Sequence, residues 1–281
     1  MGASSTHDFP KAKGVHMDHT EGVHMDHQVI ARELRRAEAE RAAIAPLTAT
    51  YSKITVEDAY EIQLENVAVR LAEGRKVIGK KIGLTSKGMQ RLLGVAQPDY
   101  GHLLDDMLIA EGEPCRRDEL IYPRIESELA FILKDTLKGP GVTIADVYRA
   151  TEGVMAAFEI VDSRIVDWKI KLADTVADNA SSARLVLGGR MSSIKDVDLR
   201  LVGMVMEKNG EVVSTGAGAA VWGHPAAAVA WLANKLAAFD IALQAGEIVL
   251  SGAVTAAETV SAGDVFTVSF DSLGSLNQRF I

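Results

Sequence analysis

The sequence predicts an α+β fold in which an amino-terminal helical region leads into a β-rich core. Apolar residues recur at helical spacing between positions 28 and 74, and after Gly74 they collapse into short runs divided by Gly, Pro and Asp. Only two helical patterns interrupt those runs, so strands dominate the later part of the chain. Three segments follow: a His-rich extension at 1–27, a helical region at 28–75 and a β-rich core at 76–281.

The extension repeats itself, Gly14-Val-His-Met-Asp-His19 recurring as Gly22-Val-His-Met-Asp-His27, and it holds five of the seven histidines. Its composition is that of a flexible appendage, although His16, His19, His24 and His27 could converge on a cation. In the helical region, Ile30, Leu34 and Ala37 share one face, and Pro46 ends that helix. Thr55-Val-Glu-Asp58 reads as an N-cap with acidic residues in the first turn, opening a second helix that ends near Gly74. Strands are expected at Lys76–Leu84, Glu128–Leu133, Ala157–Ile165, Leu201–Lys208, Glu247–Leu250 and Val265–Phe270, and helices at Ile144–Ala156 and Ala226–Ala238.

Bulk properties exclude several classes. Of 281 residues, 48% are hydrophobic and 24% charged, ordinary values for a chain with a sizeable core. A net charge of −8 argues against nucleic acid as a partner. Cys115 is the single cysteine, which rules out an intramolecular disulfide or a cysteine-based metal cluster and suits a reducing, cytoplasmic setting. Apolar runs such as Ala226–Leu232 are too short to span a bilayer, and the polar beginning lacks the apolar core of a signal peptide.

Four segments carry the candidate chemistry. In Pro123-Arg-Ile-Glu-Ser-Glu128, Glu126 and Glu128 lie two residues apart on a strand and point to one face. Such a pair is either an exposed acidic edge or a site for a cation between like charges. Glu159 and Asp162 stand in an otherwise apolar strand, where a carboxylate must be paired, with Arg164 at hand, or must ligate metal. Together Glu126, Glu128 and Glu159 could form an oxygen site for Mg2+ or Mn2+. Lys80 and Lys81 alternate, so one points inward, available to bind a carboxylate or transfer a proton, while surface pairing suits the other. The stretch 79–87 lacks the spacing of a phosphate-binding loop. Asp174-Thr-Val-Ala-Asp-Asn-Ala-Ser-Ser182 reads either as a capped turn or as a polar loop lining a pocket. The glycines of Ser214–Ala220 lack dinucleotide-fingerprint spacing and permit close backbone approach to a ligand.

These segments, with Gln97-Pro-Asp-Tyr-Gly101, Gly223-His-Pro225, Trp231-Leu-Ala-Asn234, Leu273-Gly-Ser275 and Arg279-Phe280, resemble the 2-keto-4-pentenoate hydratase and 4-oxalocrotonate decarboxylase family of the fumarylacetoacetate hydrolase superfamily. The resemblance runs from about Pro46 to Ile281 and implies a fumarylacetoacetate hydrolase-like mixed β core. It implies that Glu126, Glu128 and Glu159 bind Mg2+ or Mn2+, that Lys81 and Asp99 are catalytic, and that Asp178, Asn179 and Ser181 line the substrate. The activity implied is hydration of 2-hydroxypenta-2,4-dienoate, or a substituted relative, to a 4-hydroxy-2-oxo acid in meta-cleavage degradation of aromatic compounds. Within the same family the alternative is decarboxylation of 2-oxohex-3-enedioate. A catalytically silent subunit that stabilises a partner enzyme is the reading from another class. A homo-oligomer is expected, with a complex with a pathway decarboxylase or aldolase as a further possibility.

Overall fold

A computed structural model describes residues 25–281. The duplicated His-rich motif lies outside the described residues except for its last three. Of these, Asp26 caps helix α1 (His27–Glu40), its carboxylate accepting from the backbone N–H groups of Gln28 and Val29. His27 opens the helix and sits 3.3 Å from Asp58 and 3.1 Å from Glu61, so the helical region begins one residue before the sequence boundary. Ile30, Ala31, Leu34 and Ala37 form its buried stripe. Pro46 precedes the short α2 (Leu47–Thr50), and α3 (Val56–Ala72) starts from the expected Thr55–Asp58 capping box.

The core strands in chain order are β1 (Val77–Gly83), β2 (Asp99–Leu104), β3 (Leu108–Ile109), β4 (Arg124–Leu133), β5 (Thr151–Val161), β6 (Ser182–Ser192), β7 (Gly203–Lys208), β8 (Glu211–Ala217), β9 (Ile248–Leu250), β10 (Glu258–Thr259), β11 (Val265–Phe270) and β12 (Gly274–Arg279). Among the described residues they form a large mixed sheet, ordered β2-β1-β9-β4-β5-β6-β3 with β10 against β4, and a smaller one ordered β12-β11-β7-β8. Helix α4 (Lys87–Leu93) follows β1, α5 (Ile144–Ala150) joins β4 to β5, α6 (Leu172–Ala177) precedes β6, and α7 (Pro225–Leu236) follows the β7–β8 hairpin. No helix among the described residues is long and apolar enough to cross a membrane.

Several expected boundaries move, and the strand expected from Glu128 already begins at Arg124. The helix predicted over Ile144–Ala156 stops at Ala150, and Thr151–Ala156 instead begin β5. Val154, Ala156, Ala157 and Phe158 are all buried in a central strand, and an apolar run of that kind carries no period that separates strand from helix. The strand expected to reach Ile165 ends at Val161, because Asp162–Ile165 turn away to make side-chain and bridge contacts of their own.

Register decides what each face of the large sheet carries. Across the ladders, Lys81 lies opposite Gly101 and Leu250, Leu250 opposite Ala130, Glu126 opposite Glu159, and Gly83 opposite Asp99. With the two-residue alternation of strands, Lys81, Gly83, Asp99, Glu126, Glu128 and Glu159 all share one face. The other face buries Ile82, Ile125, Leu129, Phe131, Phe158 and Ile160 in the main core, joined there by Ile30, Tyr60, Val229 and Leu232 of the helices. A smaller apolar cluster containing Ala130, Ala157, Leu185 and Leu250 floors the carboxylate face.

Lys80 faces the main core, so both lysines are buried, contrary to the surface pairing expected for one of them. Its ammonium lies 2.7 Å from both oxygens of Glu247, at the start of β9. Beside it, His102 is held down to about 3 by burial and by the Lys80 charge, so its ring is neutral. Gln63 donates its amide to the Tyr100 and Val176 carbonyls, which leaves its oxygen to accept from His102 Nδ1. Replacing Lys80 with Met strands the Glu247 carboxylate in the core. Chemical denaturation should then show a loss of about 3–5 kcal/mol, and a Lys80→Met, Glu247→Leu double variant should recover much of it.

Candidate metal and active site

Glu126, Glu128 and Glu159 each offer an oxygen, and these oxygens lie within 4.8 Å of one another. Glu126 is half-buried, whereas Glu128 and Glu159 are fully enclosed. Glu128 Oε2 accepts from the Gly252 N–H at 2.8 Å, while its Oε1 and both Glu159 oxygens are buried without a hydrogen bond from the protein. Lys81 Nζ stands 3.3 Å from Glu159 Oε2 and donates to the Ala180 carbonyl at 3.0 Å. Thr175 donates to one oxygen of Asp99 at 2.6 Å, and the other is buried without a partner. Gly83 makes this packing possible: a Cβ there would collide with Asp99 Oδ1 and press on Lys81 Nζ.

The electrostatics follow from crowding. Burial, then repulsion from Glu159 and Asp99, pushes Glu126 up to about 7 despite the attraction of Lys81. Burial and the two neighbouring glutamates hold Glu128 well above the usual carboxylate range. Burial raises Asp99 too, against the pull of Lys81 and Thr175. Burial alone would lower Lys81, but the surrounding carboxylates, Glu159 first, hold it above its ordinary value, so it stays an ammonium. Four carboxylates around one ammonium leave a negative excess in a site of low polarity, and a buried carboxylate oxygen without a partner is costly. A divalent cation satisfies both demands, and an all-oxygen donor set suits a hard one.

The two readings left open for Glu159 are now separated. Arg164 turns away and grips Asp178 with its guanidinium, while Glu159 meets Lys81. Asp162 accepts from the backbone N–H groups of Ile121 and Tyr122 at 2.8 and 2.6 Å. The segment 174–182 is α6 followed by a tight turn, and it does approach the site. The side chains of Asp178 and Asn179, expected to line the substrate, are both engaged by the protein itself. Asp178 is enclosed by Arg164 and Ser181, and the Asn179 amide pairs with both backbone groups of His102. Ser181 is buried, its hydroxyl donating to Asp178. Three contributors carried no role in the sequence reading: Thr175, Gly83 and Gly252. Gly252 has a signal in hindsight, a glycine two residues beyond an apolar strand, at φ +111 and with Thr85 filling the space a Cβ would need.

Fold and site together define a class, an enzyme with a carboxylate-lined sheet face fit for a cation beside a buried lysine. Residues 96–281 match the model of the fumarylacetoacetate (FAA) hydrolase C-terminal family, and the chain belongs to that family. It is 56% identical over 211 residues to a 2-hydroxypent-2,4-dienoate hydratase of Pseudomonas putida, covering 75% of this chain and 95% of the relative. It is 44% identical over 252 residues to a 4-oxalocrotonate decarboxylase of Pseudomonas sp. (strain CF600), covering 90% and 96%. The solved structure of the 4-oxalocrotonate decarboxylase from Pseudomonas putida G7, complexed with magnesium and adipate, superposes with a TM-score of 0.89 at 42% identity, covering 91% of this chain and 97% of that one.

A proton on Glu126 competes with a cation. Mn2+ affinity measured by calorimetry should therefore weaken as pH falls through about 7, the value to which Glu126 is pushed. Replacing Glu128 with Gln should cost more than the roughly 10–100-fold that follows loss of a supporting outer partner; affinity unchanged by both would remove this cluster as the metal site.

Proposed function

We propose that this chain is a hydro-lyase that adds water to 2-hydroxypenta-2,4-dienoate, or a substituted analogue, giving a 4-hydroxy-2-oxo acid. The observation that carries the reading is the gathering of Glu126, Glu128, Glu159, Lys81 and Asp99 on one sheet face. The long similarity to a hydratase of this substrate type supports it.

Glu126, Glu128 and Glu159 would hold Mg2+ or Mn2+. When bound, such an ion supplies positive charge that stabilises negative charge developing on the substrate's 2-oxygen. Lys81, held as an ammonium, orients the anionic substrate and supplies a proton toward its terminal carbon, and the proton released from the 2-hydroxyl returns to the lysine as the dienol becomes the enone. Asp99, raised by burial and with Oδ1 free of a partner, holds or gives up a proton at that oxygen and orients the water that adds at the β carbon. Gly83 leaves room for Asp99 and Lys81 to pack together, and Gly101 for the turn at Asn179.

The decarboxylase reading is favoured by one observation, the similarity to decarboxylases over nine-tenths of the chain. It shares the carboxylates and the lysine, and differs in requiring room for a second substrate carboxylate. The intact cluster argues against a catalytically silent subunit. A homo-oligomer, and a complex with a pathway decarboxylase or aldolase, belong to the same proposal.

Incubation with 2-hydroxypenta-2,4-dienoate and separately with 2-oxohex-3-enedioate, each with Mg2+ or EDTA, tests the assignment. Metal-dependent loss of the dienol is expected; CO2 release from the diacid without hydration of the dienol would reverse the order of the two readings. Lys81→Met should lower turnover by about 10²–10⁴-fold while Mn2+ still binds, and near-normal turnover would remove Lys81 from the chemistry.

A further inference from the structure

Behind Lys81 the chain makes a turn that side chains ordinarily avoid. Asn179, Ala180 and Ser181 all have positive φ, at 54°, 50° and 54°. Asparagine tolerates the left-handed region, but alanine and serine do so at a cost, so three in succession persist only where the surroundings enforce them. The attachments are visible. The Asn179 side chain accepts from His102 N at 2.7 Å and donates to His102 O at 2.9 Å, which fastens the turn to β2. Gly101 lets it approach, because a Cβ there would strike the Asn179 carbonyl. On the far side, Ser181 O accepts from Asp162 N at 2.7 Å, and Asp178 is anchored by Arg164. What the turn delivers is the Ala180 carbonyl, 3.0 Å from Lys81 Nζ. Lys81 lies directly across the β1–β2 ladder from Gly101, beside the residue to which Asn179 is clamped.

We propose that Asn179 is a positioning residue: through the Ala180 carbonyl it fixes where the Lys81 ammonium sits, and it does not itself touch substrate. The proposal rests on the reading that Lys81 serves the reaction. An ammonium has three N–H donors. Ala180 O takes one, Glu159 Oε2 faces a second, and the third is left toward Asp99. Without the carbonyl, four carboxylates compete for an ammonium on a flexible four-carbon stem, and its place is no longer unique.

Asn179→Gly separates this from a structural role, because glycine adopts the left-handed region freely while the clamp to His102 is lost. The expected result is a fall in kcat of about 10–100-fold, the scale of an ångström of misplacement, with KM and Mn2+ affinity within about twofold of the parent. Gly101→Ala, which pushes the turn from the opposite side, should act in the same direction. A readout independent of turnover is the ¹H–¹⁵N signal of the Lys81 ammonium in lysine-labelled protein, assigned by its disappearance in Lys81→Met. It should be visible in the parent and shifted or broadened in Asn179→Gly. Unchanged kcat with an unchanged Lys81 signal overturns the proposal, and so does a loss confined to KM, which would mark a direct substrate contact. Should the parent turn over neither acid, the functional reading fails, and the ammonium signal still decides this inference.

Discussion

Lys81 and Glu159, buried side by side, are the contact around which the rest of the site is arranged. An ion pair so enclosed gains little by itself, since removing both charges from water costs about as much as their attraction returns. Its consequence is local. It keeps one positive charge fixed among the carboxylates. Glu126 and Glu128 are displaced upward first by burial and then by repulsion from their acidic neighbours, Glu159 among them. Glu128 Oε1 and both Glu159 oxygens lie buried without a protein partner, a donor set that suits a hard cation.

The sheet supports this arrangement by register and by the absence of side chains. Glu126 faces Glu159 across one ladder, while Lys81 reaches the same face two strands away through Leu250 and Ala130. Glycine at 83 leaves room for Asp99 and the Lys81 ammonium, and glycine at 101 leaves room for the turn at Asn179.

The reverse of the sheet solves a different problem with similar means. Lys80 is as buried as Lys81, but a single carboxylate, Glu247, meets it with both oxygens, and the neutral His102 beside it is satisfied by Gln63. That network is balanced and serves stability. The Lys81 face is unbalanced, with several carboxylates around one ammonium. Adjacent lysines on one strand thus have opposite fates because a strand sends successive side chains to opposite faces, and His102 links the two sides, its ring in the core and its backbone clamping the turn behind Lys81.

The sequence alone determined what depends on local spacing and on residue chemistry. The helices at 27–40 and 56–72 were legible in their apolar stripes and in the Thr55–Asp58 cap, and the pairing of Glu126 with Glu128 on one face follows from strand alternation. The cost of an acid at Glu159 was legible too, because it depends only on an apolar neighbourhood. Tertiary structure decided everything that needed two distant segments to meet. The identity of the partner for Glu159, Lys81 rather than Arg164, depends on strand order, and so does the burial of both lysines. The length of β5 also escaped local reading, since a strand buried on both faces loses the alternation that marks it. The backbone turn at 179–181 lay furthest from reach: its residue types advertise a cap or a loop, and the left-handed conformation exists only because His102, Gly101, Asp162 and Lys81 hold it from outside.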